Sequence, residues 1–274
     1  MKGIIITVLI LGVLGLLLGV ILSIVSIIMA VKKDETVEKI ENVLPGANCG
    51  SCGFSGCSGY AAALAKGDTR QTNLCSPGGA DTAKQIGEIL GIAGGGFVRK
   101  SAVVRCRGSW DVTSMMMEYR GIESCYASNQ LYHGLGACDF GCIGFGDCKA
   151  ACEYDAIKVE NGVAKVDARK CVGCGKCVKA CPKGIIALVP SADEDRTVLC
   201  VNRDKGAKTR KICTAGCIGC GKCMKACDYG AVTVKDFVAR IDYDKCVGCG
   251  KCEEACPQGC IVNFTLPECV KQPL

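Results

Sequence analysis

The chain has 274 residues, 26 of them cysteine, with 36 glycines, few aromatic residues and a formal net charge of +6. So little bulk fits several small modules better than one large apolar core, and cysteines set two or three residues apart are too close for most of them to bridge one another without strain, which favours metal over a disulfide scaffold. Thiolates at that spacing suit soft metals, either zinc or iron–sulfur clusters, kept in a reducing compartment or under an assembled cofactor.

Between Lys2 and Lys32 lie 29 residues without a charge, mostly Ile, Leu and Val. At about 1.5 Å per residue, residues 3–31 form a helix roughly 43 Å long, enough to cross a ~30 Å hydrocarbon core with tilt. Signal-peptide apolar regions run about 7–15 residues, and no small-residue cleavage site stands out, so a retained transmembrane helix is expected. Lys32 and Lys33 follow the span and only Lys2 precedes it, so the positive-inside rule expects the cysteine-rich body in the cytoplasm. Gly12, Gly15 and Gly19 leave a small-residue surface that another membrane helix can approach. A lone span makes no ion pathway.

Residues 34–44 (DETVEKIENVL) read as a short amphipathic helix with Val37, Ile40, Val43 and Leu44 on one side, ended by Pro45 and Gly46. Cys49, Cys52 and Cys57 follow among glycines, then a helical stretch from Tyr60 to Ala65, then Cys75. Zinc favours two separated pairs, whereas three close ligands and one distant one suit a cubane. The GGG at 94–96 reads as a flexible linker.

Farther along, the sequence repeats. Cys171, Cys174, Cys177 and Cys181, then Pro182, form C-x2-C-x2-C-x3-C-P; Cys246, Cys249, Cys252 and Cys256, then Pro257, form it again 75 residues later. Each copy follows another quartet: Cys138, Cys142, Cys148 and Cys152 in the first, Cys217, Cys220, Cys223 and Cys227 in the second. The links AIKVENGVAKVDARKC and AVTVKDFVARIDYDKC read as two short strands about a turn, Asn161-Gly162 in the first copy. This is the pattern of a bacterial two-cluster ferredoxin, present twice. In such folds the fourth cysteine of a run binds the other cluster. The expected sets are therefore Cys138, Cys142, Cys148 with Cys181; Cys171, Cys174, Cys177 with Cys152; Cys217, Cys220, Cys223 with Cys256; and Cys246, Cys249, Cys252 with Cys227. The first of these has irregular spacing, with Ile143 to Asp147 enlarging one loop.

Glu153 and Asp228 follow Cys152 and Cys227; an acidic neighbour lowers a cluster's potential if desolvated, but solvated carboxylates are expected. Five clusters leave Cys106, Cys125, Cys200, Cys213, Cys260 and Cys269. Cys106 is matched with Cys200, and Cys125 with Cys213; they supply a sixth cluster or pack as small buried hydrophobes, and packing is the expectation. Cys260 and Cys269 have no evident partners. The only histidine, His133, excludes a two-histidine Rieske centre within the chain. No P-loop, dinucleotide fingerprint or serine elbow is present, so no catalytic residue is assigned. Lys170, Lys176, Lys179, Lys183, Lys222, Lys225, Lys245 and Lys251 crowd the cluster loops, offsetting cluster charge or steering an acidic partner. Since an oxidised cubane with four thiolates carries about −2, five would bring the holo-protein to roughly −4, and the basic balance is no argument for nucleic acid.

The expected fold class is α+β: a transmembrane helix at 3–31, a small helical [4Fe–4S] domain at 34–92, and two bacterial-type 2[4Fe–4S] ferredoxin-like modules at 93–190 and 191–274. The run LPGANCGSCGFSGCSGYAAALAKG with its distant Cys75-Ser-Pro-Gly-Gly resembles the small iron–sulfur domain of the Rnf complex B subunit, and the resemblance extends over essentially the whole chain. That family begins with one membrane helix and binds one [4Fe–4S] cluster through the cysteines matching Cys49, Cys52, Cys57 and Cys75. It resembles this chain even across Ile143 to Asp147, which implies a cubane there too. The resemblance implies an electron-transfer subunit of an ion-translocating ferredoxin:NAD oxidoreductase in the cytoplasmic membrane. Such a subunit takes electrons from reduced soluble ferredoxin and passes them to partner subunits that carry the flavins, the NAD site and the path for sodium ions or protons. The competing readings are a polyferredoxin of another membrane complex (a hydrogenase, a reductase or a redox-sensor-reducing complex) and a zinc-stapled structural protein. The 34–79 module argues against the former, and iron content decides the latter.

Overall fold

The computed structural model of the chain describes residues 2–28, 34–191 and 196–264; Lys32, Lys33 and Cys269 lie outside the described residues. Helix α1, Lys2–Ile28, is apolar along its length, and its stretch Gly3–Val25 is long and apolar enough to cross a membrane. Its described side chains are exposed, as expected of a helix whose solvent is lipid.

Helix α2, Glu35–Val43, starts at Asp34, whose carboxylate accepts the Thr36 N–H at 2.9 Å. Helices α3, Cys57–Lys66, and α4, Gly79–Leu90, both end on a left-handed glycine, Gly67 and Gly91. The three helices enclose a core of Ile40, Leu44, Tyr60, Leu64 and Ile86 beside Cys75. The Tyr60 hydroxyl donates to the Gln71 carbonyl at 2.6 Å, satisfying the one polar atom of a buried ring and fixing the return toward Cys75. The glycine run at 94–96 is tied down: Gly95 donates to Thr72 Oγ1 at 3.1 Å, and Gly96 accepts from Asn73 Nδ2 at 2.6 Å.

The remainder is one plan built twice. Its first copy comprises strand β1, Lys100–Val104; helices α5, Cys125–Asn129, and α6, Asp147–Ala150; strands β2, Ile157–Glu160, and β3, Val163–Val166; helix α7, Lys176–Ala180; and strand β4, Ile186–Pro190. The second has strand β5, Arg196–Val198; helices α8, Gly206–Ile212, and α9, Lys222–Lys225; strands β6, Val232–Lys235, and β7, Val238–Ile241; helix α10, Lys251–Glu254; and strand β8, Ile261–Asn263. In each copy the first and last strands pair antiparallel, β1 with β4 and β5 with β8, while the middle strands form a hairpin.

The hairpins follow from strand alternation. Ile157 and Val159 turn inward and Lys158 and Glu160 outward, and Asn161-Gly162 takes positive φ at both turn positions, as a two-residue hairpin requires. The second hairpin turns at Asp236-Phe237, also both at positive φ, a conformation costing a bulky residue about 1–2 kcal/mol. The cores are small and lined with sulfur: Ala102, Val104, Ile157, Ala164, Ile185 and Ile186 around Cys148, Cys171 and Cys177, then Val198, Val232, Val238 and Ile261 around Cys223 and Cys252. The halves are stitched where Thr113 bridges Cys213, with Ser114 donating to the Ile212 carbonyl at 2.9 Å and Thr214 to that of Val112 at 3.0 Å.

Candidate functional site

The cysteines gather in quartets, each assembled by a glycine-rich loop and a short helix. In the small domain, Asn48 bends the loop at positive φ, and its Oδ1 accepts the Cys57 N–H at 2.8 Å. Cys75 is buried, and burial pushes its thiol up to about 11, with Cys57, Cys49 and Cys52 adding to the rise. This domain docks on the first ferredoxin-like copy: Ser51 Oγ donates to the Gly173 carbonyl at 3.3 Å, and Lys179 Nζ to that of Cys49 at 3.3 Å. Cys49 thereby lies near Cys174, whose thiol is raised by burial and further by Cys49, Cys171 and Cys152.

Next stand Cys171, Cys174, Cys177 and Cys152. The Ala102 N–H points at the Cys171 sulfur at 3.3 Å, and Cys177 is pushed up to about 11 by burial and by the other three sulfurs. Close backbone approach forces glycine here: Gly173 sits at φ +67°, and a Cβ there would lie 2.5 Å from the Lys100 carbonyl oxygen.

Cys142, Cys148 and Cys181 surround a cavity of about 370 Å³, counting its open mouth. Its fourth sulfur is Cys125, not the expected Cys138. Setting GCIGFGDC beside GCIGCGKC gives the reason: Phe145 stands where the second copy has Cys220, so the loop lacks one sulfur and α5 carries in a replacement. Asp147 holds that replacement. Its carboxylate accepts the N–H groups of Cys125 and Tyr126 and the Ser124 hydroxyl, each at 2.9 Å. Burial acts to raise the Asp147 pKa, but these donors outweigh it and hold the carboxyl below its usual range. Cys148 is pushed up to about 12 by burial and by Cys142, Cys125 and Cys181.

Cys138 lies instead with Cys106, Cys200 and Cys213, around a separate cavity between the two copies. The expected match of Cys106 with Cys200 agrees with their placement, since the two occupy equivalent positions there. That of Cys125 with Cys213 does not, because these line different cavities; Cys213 is the counterpart of Cys138, 75 residues on. The repeat interval itself was the signal that identifies this pair.

In the second copy, Cys217, Cys220, Cys223 and Cys256 surround a cavity of about 350 Å³. Cys260 lines it too and is almost fully buried, its thiol donating to the Ala215 carbonyl at 3.2 Å and its N–H to the Cys256 sulfur at 3.3 Å. The Cys260 side chain beside them lowers the thiols of Cys217 and Cys256, to about 6 and about 5, and backbone N–H groups add to the fall. Beyond it, Cys252 is raised by burial and by Cys246, Cys227 and Cys249. Cys220 and Cys249 are exposed. Glu153 and Asp228 pair with Lys176 and Lys251, which offsets the acidic neighbour of Cys152 and Cys227 alike. His133 lies on an exposed turn at positive φ, its carbonyl accepting from Lys183.

Among the described residues, no three Cys, His, Asp or Glu are arranged to hold a single metal ion. Zinc at about 2.3 Å from each sulfur draws its ligands to a point. These sulfurs surround spaces instead, with N–H groups directed at several of them, the donor set that suits a [4Fe–4S] cube. Such a group supplies a one-electron redox centre.

Comparison with known proteins agrees. Residues 44–77 match the family described as "Putative Fe-S cluster", and residues 139–188 and 216–260 each match a "4Fe-4S dicluster domain". The chain is 44% identical over 246 residues (89% of this chain, 73% of the relative) to the B subunit of the Na(+)-translocating ferredoxin:NAD(+) oxidoreductase complex of Acetobacterium woodii. It is 36% identical over 88% of its length, and 85% of the relative's, to the B subunit of the proton-translocating ferredoxin:NAD(+) oxidoreductase complex of Clostridium ljungdahlii. To the B subunit of the ion-translocating oxidoreductase complex of Methanosarcina acetivorans it is 37% identical, over 87% of this chain and 90% of that one. With its apolar N-terminal helix, its sulfur-lined cavities and this breadth of similarity, the chain belongs to the Rnf complex B-subunit family, the multi-cluster electron-transfer subunits of a membrane-associated oxidoreductase complex.

Proposed function

We propose that this chain accepts electrons from reduced soluble ferredoxin on the cytoplasmic side of the membrane. It then relays them through at least five [4Fe–4S] clusters to partner subunits of a ferredoxin:NAD oxidoreductase coupled to sodium or proton transport. The observation that carries this reading is the succession of quartets. Cys49 adjoins Cys174, and the quartets of each copy exchange their fourth cysteines crosswise, so that in each copy the cysteines of neighbouring quartets pack on one apolar core. The ligands are Cys49, Cys52, Cys57 and Cys75; Cys171, Cys174, Cys177 and Cys152; Cys125, Cys142, Cys148 and Cys181; Cys217, Cys220, Cys223 and Cys256; and Cys246, Cys249, Cys252 and Cys227. The domains run 34–92, 93–190 and 191–274, behind a single membrane span with Lys32 and Lys33 on the cytoplasmic side.

The protein's part is positional. Loops fix each thiolate, apolar cores exclude water, and N–H groups aimed at sulfur set the ease of reduction. Lys222 and Lys225, beside the exposed Cys220, offer a positive rim to an acidic partner, and such steering weakens with salt. The test mixes anaerobic full-length protein with reduced ferredoxin and follows the loss of visible cluster absorbance. Reduction that slows as salt rises supports the reading; protein that carries iron yet takes no electrons from ferredoxin overturns it.

A further inference from the structure

The four sulfurs of the cavity between the two copies fall outside both dicluster segments, matched at 139–188 and 216–260. Of its four sulfurs, Cys106, Cys138 and Cys200 lie in sequence before the match that follows them, and Cys213 lies just before residue 216. The cavity is comparable in volume with the other two, open mouths included, at about 350 Å³ against about 350 and 370 Å³. Each half contributes the same pair of sulfurs. Cys138 and Cys213 each begin a C-x3-C step, to Cys142 and to Cys217. Cys106 and Cys200 each accept an N–H from that second cysteine: Cys142 to the Cys106 sulfur at 3.4 Å, and Cys217 to the Cys200 sulfur at 3.3 Å.

The remaining sulfurs are served across the junction. Asn202 of the second half donates through Nδ2 to the Cys138 sulfur at 3.5 Å, and Thr113 of the first half donates through Oγ1 to the Cys213 sulfur at 3.4 Å. Cys106 accepts a further N–H from Gly108 at 3.3 Å. Thiols packed merely as small hydrophobes need no such donors. Four sulfurs that all receive them form a surface built for thiolates. Arg105 and Arg107 line the same cavity and bring positive charge to a place where four thiolates would otherwise repel.

We propose that Cys106, Cys138, Cys200 and Cys213 bind a sixth [4Fe–4S] cluster, and that this site is the bridge by which electrons cross from one ferredoxin-like copy to the other. The proposal rests on the relay reading above and deepens it. Assembly breaks four S–H bonds, releases four protons to solvent and forms four S–Fe bonds, with iron and sulfide delivered by a cluster-assembly donor. In the crossing no bond is made or broken. When filled, the bridging centre would take one electron from the centre held by Cys217, Cys220, Cys223 and Cys256, on the side where Lys222 and Lys225 form the positive rim, and hand it to that held by Cys125, Cys142, Cys148 and Cys181. The N–H contacts from Cys142 and Cys217 give a short bonded route on each side.

The test counts iron and acid-labile sulfide per chain in full-length protein purified anaerobically in detergent. The wild type is expected to hold about 24 irons, at four per cluster, and the double variant Cys138→Ser, Cys213→Ser about 20. That variant loses one reduced-cluster spectroscopic signal while the others persist, and its first copy is reduced more slowly when electrons enter through the second. A wild-type count of about 20 overturns the bridge and leaves the relay standing, and it needs no variant to fold. A variant that keeps the wild-type count also overturns the bridge, and a wild type without iron overturns both readings.

Discussion

Asp147 holds Cys125 in place: its Oδ1 accepts the Cys125 N–H at 2.9 Å, while its other oxygen takes the Ser124 hydroxyl and the Tyr126 N–H. A carboxylate serving three donors is worth about 1.5–3 kcal/mol per charged hydrogen bond, and its loss frees the loop that brings the fourth sulfur. Asp147→Ala is expected to lose the cluster of the first cavity to a mild chelator before any other, read as a drop of about four irons per chain. Because its carboxyl is held below the usual range, the clamp acts in full above about pH 4 and fails only as pH falls through that lowered value.

Phe145 makes a rescue experiment available. Cys125→Ser should cost about four irons, and adding Phe145→Cys to it should restore them by recreating the C-x2-C-x2-C spacing of the second copy. If iron stays low in the double variant, the loop of the first copy differs from the second by more than one side chain.

Gly144 sits at φ +90°, and a Cβ there would lie 2.5 Å from the Gly162 carbonyl oxygen. Gly144→Ala therefore strains the backbone and drives the cluster loop off the hairpin. The expected cost is at least 1–2 kcal/mol from the left-handed conformation alone, measured as earlier thermal bleaching of the clusters.

Cys260 is as buried as any ligand, yet its thiol donates to the Ala215 carbonyl. Cys260→Ala should keep the full iron count and shift the potential of the neighbouring cluster little, since the residue-260 N–H still reaches the Cys256 sulfur and the lost thiol donated to the Ala215 carbonyl. Redox titration followed by electron paramagnetic resonance reads the shift.

Lys179 and Ser51 tie the small domain to the first copy by two hydrogen bonds to backbone carbonyls. Lys179→Ala combined with Ser51→Ala should leave all clusters in place and slow electron exchange between the Cys49 and Cys174 sites, checked by rapid mixing.

Much of this was legible in the sequence because its signals are local. The Asn161-Gly162 turn, the C-x2-C-x2-C-x3-C-P runs and the apolar span each carry their rule within a few residues. Cys125 escaped such reading because its function follows from an absence at Phe145, twenty residues away, and because Cys138 offered a plausible spacing. The grouping of Cys106 with Cys213 depends on the two halves docking, and no local period reports that.

The junction between the halves has a consequence for how the chain matures. A centre that draws two ligands from each half is a clip closed over roughly a hundred residues, and metal clips gain most when they shut long loops. Neither half can hold it alone, so the nascent chain completes this site only after Cys213 has emerged. Its filling then marks the moment when two independent electron stores become a single conductor.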